Sequence, residues 1–481
     1  MNDLHFLTPA FTANPPANRS SRSFREYKAF HIFLSCFVLL VTLFSGIPSQ
    51  AQDAQSDLYG GWKGLQAEPK LYFHVSQIDG KWWFVSPGGN VFISKGVNHV
   101  SFTADFSPAL NYSPYARVTM KKYQTESRWA TATAERLKSW NFNTVGAWSS
   151  SALYDEGLAF TINLNIAAEA GGNWQYGRFP DVFSRHFEQM ARSVAIRKCK
   201  PYAENLSLLG YFTDNELRWG PDWRSDNALL IDFLKMEKDS AGYQKAASFL
   251  QEKYPTIEEL NQAWSTRVNS MEELAGLESY PESSSRTSDE NAFLYQAARR
   301  YFQVCHEAIH EQDPNHLILG VRFAGQAPQP VLEAVKDFVD VVSFNTYNEL
   351  PPEKTLRRIH QITQKPLMIT EFSFKAMDSG LPNTKGAGKP VQTQQERADK
   401  FTRFVTNLMQ LPFVIGYHWF EYTDEPKEGR FDGENSNYGL VNINDEPWQL
   451  LVDAMTRTNQ KIEDIHLSST LTSQDDKLHQ E

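Results

Sequence analysis

Eight short apolar runs, at 91–97, 144–147, 161–166, 208–213, 317–321, 339–344, 366–370 and 414–419, alternate with stretches of helical spacing such as 130–139, 185–203, 292–312 and 393–410. No other feature narrows the fold so far. Parallel strands cannot be joined by a tight turn and need a crossover, usually a helix, so repeated strand–helix order predicts a parallel sheet. Eight repeats are the number that closes a (β/α)8 barrel. A doubly wound open sheet is the other parallel solution, but no glycine-rich dinucleotide fingerprint follows any of the runs. A chain of 481 residues suits one large barrel as well as roughly two to four ordinary domains.

The expected fold class is therefore α/β, a TIM barrel over 58–466 with N-terminal β-hairpins and an insertion after strand four. The hairpins are read at 73–78, Asp79-Gly80, 81–86, Pro87-Gly88-Gly89 and 90–94, and are expected to cover the barrel floor. The insertion, about 217 to 290, holds helical segments at 227–253 and 257–264 and ends in a polar loop at 282–286. No repeat of 20–50 residues is visible, which disfavours solenoids and propellers. The polar tail 467–481 is expected to be disordered.

Residues 1–51 read as a signal peptide: Arg19, Arg22, Arg25 and Lys28 precede an apolar run over 29–44, and Ser49 and Ala51 offer a cleavage site. An exported protein, periplasmic or secreted, follows. The alternative is a membrane anchor, because 29–47 nearly spans a bilayer if it is retained. Cys199 and Cys305 would then be the only thiols, too few for a disulfide framework in a chain this long. With 41% hydrophobic and 22% charged residues the core must come from packing, and wholesale disorder is excluded. A net charge of -10 argues against a nucleic-acid partner.

Chemistry in such barrels sits where strands end at the C-terminal face. The fourth run continues into Asp214-Asn215-Glu216 and the seventh into Glu371-Phe372. Each places a carboxylate at the rim, on strands that face each other across the mouth. Glycoside hydrolysis needs such a pair: one group protonates the leaving oxygen, the other attacks the anomeric carbon, with a separation of about 5–5.5 Å in retaining enzymes. The plain alternative is two unrelated rim carboxylates.

The stretches GYFTDNELRWG (210–220), TEFSF (370–374) and HWFEYTDEPKEGRFDGENSNYGLVN (418–442) resemble a clan A retaining glycoside hydrolase, closest to glycoside hydrolase family 50, the β-agarases. Family 42 β-galactosidases are echoed in TDNE and in KYPTIEELNQAWS (253–265). The resemblance implies that Glu216 is the acid/base and Glu371 the nucleophile. It also implies that Asn215 bonds the sugar 2-hydroxyl, Tyr347 orients the nucleophile and Trp419 floors the sugar site. Many clan members carry histidine where this chain has Asn345. Asn98, His99, Trp148, Glu169 and Arg322 end other runs and are candidates to line the pocket, and Trp148, Trp174, Trp219 and Trp223 are candidate stacking surfaces.

The expectation is an exported, cofactor-free retaining glycoside hydrolase, without metal, acting on β-linked galactose in agar or agarose oligosaccharides. Its partner is an oligo- or polysaccharide, with no nucleic acid and no membrane once the leader is removed. The alternatives are a β-galactosidase-like exo-hydrolase, a non-catalytic sugar-binding barrel and a zinc peptidase.

The last of these rests on His306-Glu307-Ala308-Ile309-His310, a literal H-E-x-x-H, with His316 at the extended spacing. That pattern wants glycine where this chain has Asp313, followed by Pro314, so 313–316 reads instead as a helix stop before strand five. Gly386-Ala387-Gly388-Lys389 lacks the spacing of a phosphate loop and reads as a flexible loop flanking the cleft. Asp424, Asp432 and Glu434 could suggest calcium but read as solvated loop carboxylates.

Overall fold

The computed structural model describes residues 55–469. The expected signal peptide, 1–51, and the expected disordered tail from 470 onward lie outside the described residues, whereas Leu467 of that tail ends a helix, Ile462–Leu467. An antiparallel sheet comes first, from β1 (Trp62–Gln66), β2 (His74–Ile78), β3 (Lys81–Val85) and β4 (Asn90–Phe92), in the order β1-β4-β3-β2. Asp79 and Gly80, both at positive φ, make the tight turn that pairs Ile78 with Lys81. Only β1 was not foreseen. It is a short, largely exposed edge strand interrupted by Gly64, so it carries no hydrophobic alternation.

The second sheet is wholly parallel: β5 (Ser94–Val97), β6 (Thr144–Val145), β7 (Ala159–Asn163), β8 (Leu208–Phe212), β9 (Leu317–Ile318), β10 (Phe323–Ala324), β11 (Val342–Asn345), β12 (Leu367–Phe372) and β13 (Val414–Trp419). Its order is β10-β11-β12-β13-β5-β6-β7-β8-β9. The two ends, β9 and β10, are halves of one fifth barrel strand, broken around Gly320. Leu319 N–H donates to Tyr211 O at 2.8 Å on one side, while Ile318 O accepts from Asp340 N–H at 2.9 Å on the other. The sheet thus closes into the expected barrel. Gly320 sits at φ 93°, and a Cβ there would come 2.9 Å from Ser343 Oγ, so only glycine fits the closing seam. The run at 91–97 divides at Ile93, its first half serving the floor sheet and its second the barrel.

Inside the barrel Leu209, Phe212, Leu319, Val341, Met368 and Ile415 pack on Phe73, Phe84 and Phe92 of the hairpins. The hairpins therefore plug the floor, leaving the opposite end for chemistry. A larger core lies between the strands and the outer helices.

The insertion is more broken than the sequence suggests. Instead of one helix over 227–253 there are two, Leu229–Leu234 and Ala241–Lys253, the second capped by Ser240 accepting from Tyr243 N–H. The supposed polar loop at 282–286 is a helix start: Ser283 accepts from Arg286 N–H and opens Ser284–Gln312, 29 residues long. Serines favour both loops and N-caps, which is why this boundary misleads. Buried Asp289 joins that helix to the insertion by accepting from Tyr254 Oη and Trp264 Nε1, each at 2.8 Å. Cys199 and Cys305 are buried and unpaired with each other. No helix among the described residues is long and apolar enough to cross a membrane.

Candidate active site

The C-terminal strand ends surround one cavity of about 810 Å³. Of the residues singled out above, Glu216, Glu371, Asn215, Asn345, Tyr347, His99, Trp148, Trp174 and Trp223 line it. Glu371 is the fifth of six residues in β12. Register slips between Phe344 and Asn345, so that Asn345 comes opposite Glu371, and such bulges re-aim side chains toward a site.

The Glu371 carboxylate is held at both oxygens. Oε1 pairs with Arg322 Nη2 at 2.9 Å, and Oε2 accepts from Tyr347 Oη at 2.9 Å. Burial pushes this acid up to about 7; Arg322 and Tyr347 pull the other way, and Glu216 adds to the rise. Arg322 is itself wholly buried. It donates through Nη1 to Asn215 Oδ1 and through Nη2 to Thr370 O, both at 2.9 Å, and its guanidinium lies 4.2 Å over Trp148.

Glu216 lies four residues beyond β8, at φ 50°. Its N–H donates to Arg322 O at 3.1 Å. Its carboxylate takes only neutral donors: Asn345 Nδ2 reaches Oε1 at 3.0 Å, and Trp174 Nε1 reaches Oε2 at 3.2 Å. Asn345 also donates to Asn215 Oδ1 at 3.0 Å and accepts from Thr370 Oγ1 at 2.9 Å. One chain of contacts therefore runs Glu216–Asn345–Asn215–Arg322–Glu371–Tyr347, joining strands four, five, six and seven.

Arg322, expected in the lining, lies fully buried behind it, and four other expected residues are placed elsewhere. Trp419 is fully buried, donates from Nε1 to Tyr438 O at 2.8 Å and packs on Phe372 and Phe401. Side chains alternate along a strand: His418 points into the barrel, bonding Ser94 Oγ at 2.8 Å, so Trp419 must face the outer helices. Phe420 lines the cavity in its place. Asn98 is a brace, donating to Thr370 O at 2.7 Å and accepting from Ala147 N–H at 3.0 Å. Glu169 forms a surface ion pair with Arg197. Trp219 stacks on Phe302, packing the insertion onto the long helix.

The cavity also contains a charged wall that the sequence concealed. Arg430 meets Glu434 at 2.6 Å, Asp432 at 3.0 Å and Glu425 at 3.3 Å, and lies 4.0 Å from Glu421. Asp432 and Glu434 are therefore paired cavity residues rather than solvated ones. Asp424 is buried and structural, accepting from Asn437, Gly439 and Trp448. Among the described residues His99, Asp105 and Glu421 bring ligand atoms within 4.8 Å of one another. Burial opposes charge on His99, but Asp105 and the hydrogen-bonded Glu421 outweigh it and raise the imidazole to about 9, so the three groups form a compact ion cluster.

The H-E-x-x-H residues stand outside the cavity lining. His306 Nδ1 bonds Phe338 O at 3.1 Å and His310 Nδ1 bonds His306 O at 3.2 Å. Both ring nitrogens of His316 are engaged, by Asp313 and by Asn205 O. Asp313 thus serves the helix stop that its position suggested. The loop with Gly386 and Gly388 does flank the cleft, through Ala387.

No family model matches the chain. Among curated proteins it is similar to Beta-agarase B of Vibrio sp. (strain JT0107), 28% identical over 86% of this chain and 51% of that one. It is also similar to Beta-agarase A of the same strain, 30% identical over 82% of this chain and 46% of that one. The chain thus spans about half the length of the curated relatives it matches. Among solved structures, an agarase, AgWH50C, superposes with a TM-score of 0.74 at 29% identity, covering 86% of this chain and 68% of that one. An exo-beta-agarase gives 0.76 at 25% identity with the same coverage. A β-galactosidase from the psychrophilic Marinomonas ef1, at 14% identity and a TM-score of 0.52, shares the fold alone. Across its barrel, in sequence and in structure, this chain is a relative of the β-agarases of glycoside hydrolase family 50.

Proposed function

We propose that this protein is an exported, retaining glycoside hydrolase that cleaves β-linked galactose in agarose oligosaccharides. The observation that carries the reading is the unbroken hydrogen-bond path between Glu216 and Glu371, which sets two carboxylates with opposite surroundings into one cavity. The guanidinium and the phenol at Glu371 favour its anion against the burial that raises it to about 7. Glu216 is held by an amide and an indole N–H instead. Glu371 therefore attacks the anomeric carbon as the glycosidic C–O bond breaks, and the Glu216 proton passes to the leaving oxygen. In the second step Glu216 takes a proton from water, the water oxygen attacks the same carbon, and the bond to Glu371 breaks. Two inversions return the starting β configuration.

Asn215 supports this chemistry. Its Oδ1 is committed to Arg322 and Asn345, which leaves its Nδ2 as the donor for a sugar hydroxyl. The exposed rings of Trp174 and Trp223 at the rim suit the apolar C–H faces of sugars. The experiment is chromatography of an agarose-oligosaccharide digest. Disaccharide released from chain ends, with little action on lactose, is expected. Free galactose as first product beside rapid lactose hydrolysis would replace agarose by small β-galactosides and leave the two glutamates in place. No hydrolysis of either, nor of an activated aryl glycoside, would leave a sugar-binding barrel.

A further inference from the structure

The cavity wall beside Glu216 is assembled on one guanidinium at the start of the insertion. Arg224 has a side chain only 4% exposed. Its Nη1 donates to two backbone carbonyls at once, Trp174 O and Glu216 O, each at 2.9 Å. Its Nε and Nη2 donate to Asp222 Oδ2 at 3.0 and 2.6 Å, which fixes the plane of the fork, and its guanidinium lies 4.3 Å over the Trp223 ring. The loop bearing Trp174 closes on this group through Gly177 at φ 63°, where a Cβ would stand 3.0 Å from Arg224 Cβ.

These contacts meet at a backbone that needs holding. A non-glycine residue in the left-handed region costs free energy and persists only when its surroundings over-determine it. The N–H of Glu216 is held by Arg322 O and its C=O by Arg224, while its carboxylate takes the Trp174 indole N–H. Trp174 and Glu216 are thereby tied twice, ring to carboxylate and carbonyl to carbonyl.

We infer that Arg224 is a positioning residue that makes Glu216, Trp174 and Trp223 one rigid unit, so that the sugar being expelled is gripped by the same body that protonates its oxygen. The inference rests on Glu216 being the acid/base. It follows that Arg224 matters only where the leaving group is a sugar that needs both a surface and a proton. An aryl glycoside with a dinitrophenolate leaving group needs neither.

The test compares wild type, Arg224→Met and Arg224→Lys in the full chain on an agarose oligosaccharide and on the dinitrophenyl glycoside of the product disaccharide. Rates are normalised to active sites counted by trapping Glu371 with a 2-fluoro glycoside. Arg224→Met is expected to lose about 100-fold in kcat/KM on the oligosaccharide, the cost of misplacing a catalytic group by about 1 Å. On the aryl substrate it should lose less than about fivefold, because general-acid help is not drawn upon there. Arg224→Lys, which can reach one carbonyl but not both, should fall between and decides the matter if the methionine variant does not fold. Equal losses on both substrates, or none on the oligosaccharide, would overturn the inference and reduce Arg224 to a prop for the insertion. Glu216→Ala is run alongside: full activity in that variant removes the acid/base reading itself, whereas azide rescue with equal Arg224 losses removes only the clamp.

Discussion

Glu371 lies within a barrel strand, at a register slip, buried and paired with a buried cation, whereas Glu216 hangs four residues beyond its strand in a left-handed conformation, half-buried among neutral donors. The contrast separates two demands on one kind of side chain. A nucleophile must be fixed when substrate arrives and must attack as the anion, so it sits on a barrel strand between a guanidinium and a phenol. A group that gives and takes a proton must reach solvent between steps, so it sits on the rim and its position has to be secured by other residues.

The largest effect expected from breaking this contrast is at Glu371. Glu371→Gln keeps the shape and removes the charge that attacks, and turnover should fall ~10⁵-fold or more, as when other enzymes lose their nucleophile. Circular dichroism and thermal unfolding should show a folded protein. Residual turnover near the wild-type rate would show that the covalent intermediate is not formed there. Glu216→Ala should cost less, about 10²–10⁴-fold on natural substrate, and should spare activated aryl glycosides. Azide should restore its rate by replacing the water that Glu216 would activate. An unchanged rate on the natural substrate would deny it the proton-transfer role.

The same contrast explains what could be read in the sequence. Strand ends are legible because an apolar run stops where the barrel does, so Glu371, Glu216, Asn215, Asn345 and Tyr347 could be placed from the pattern and the resemblance. The direction of a side chain at a strand end is not legible without the pleat. Trp419 was expected in the cavity and faces the opposite way, because His418 takes the inward position. Pairing within an irregular loop is hidden too, even between near neighbours in the chain. Nothing in 424–434 distinguishes carboxylates that meet Arg430 in a buried wall from carboxylates dissolved in water. Arg224, Asp105 and Glu421 escaped notice because each meets at least one partner brought in from another loop, Trp174 O for Arg224 and the His99–Asp105 and Glu421 segments for each other.

Arg322 sharpens the comparison, because it touches Glu371 directly and Glu216 only through its backbone carbonyl and the two asparagines. Activity requires Glu371 as the anion, and burial has raised this acid to about 7, so kcat/KM should fall as pH drops through about 7. Arg322→Met withdraws the paired cation, the acid rises further, and the acidic limb should move to higher pH. Arg322→Lys keeps a charge without the fork and should move it less. Because the folded state holds this proton more tightly than the unfolded chain, Glu371's own contribution to stability should decline as pH rises from the ordinary carboxylate range through about 7, and over a wider range in Arg322→Met. A pH–rate profile in the folded variant with an unmoved acidic limb would separate Arg322 from the nucleophile.

The smallest effect is expected where the sequence offered its strongest rival motif. His306 and His310 stack on each other at 4.1 Å between ring centres, with each Nδ1 on a backbone carbonyl. A zinc peptidase would need both rings, a third ligand and the glutamate aimed at a common point. His316 is instead spent on Asp313 and Asn205 O, and Glu307 accepts from Gln303 on the helix surface. His306→Gln/His310→Gln should therefore lose only the two carbonyl contacts, about 1 kcal/mol of stability apiece, and hydrolysis of agarose oligosaccharides should stay within about twofold of wild type, as for most substitutions remote from a site. Chelator treatment of wild type should likewise leave the rate unchanged. Loss of activity with EDTA that zinc restores in wild type but not in the double variant would bring the three histidines back as ligands. It would also mean that the chemistry does not reside in the two carboxylates, since these lie across a cavity that the histidines do not line.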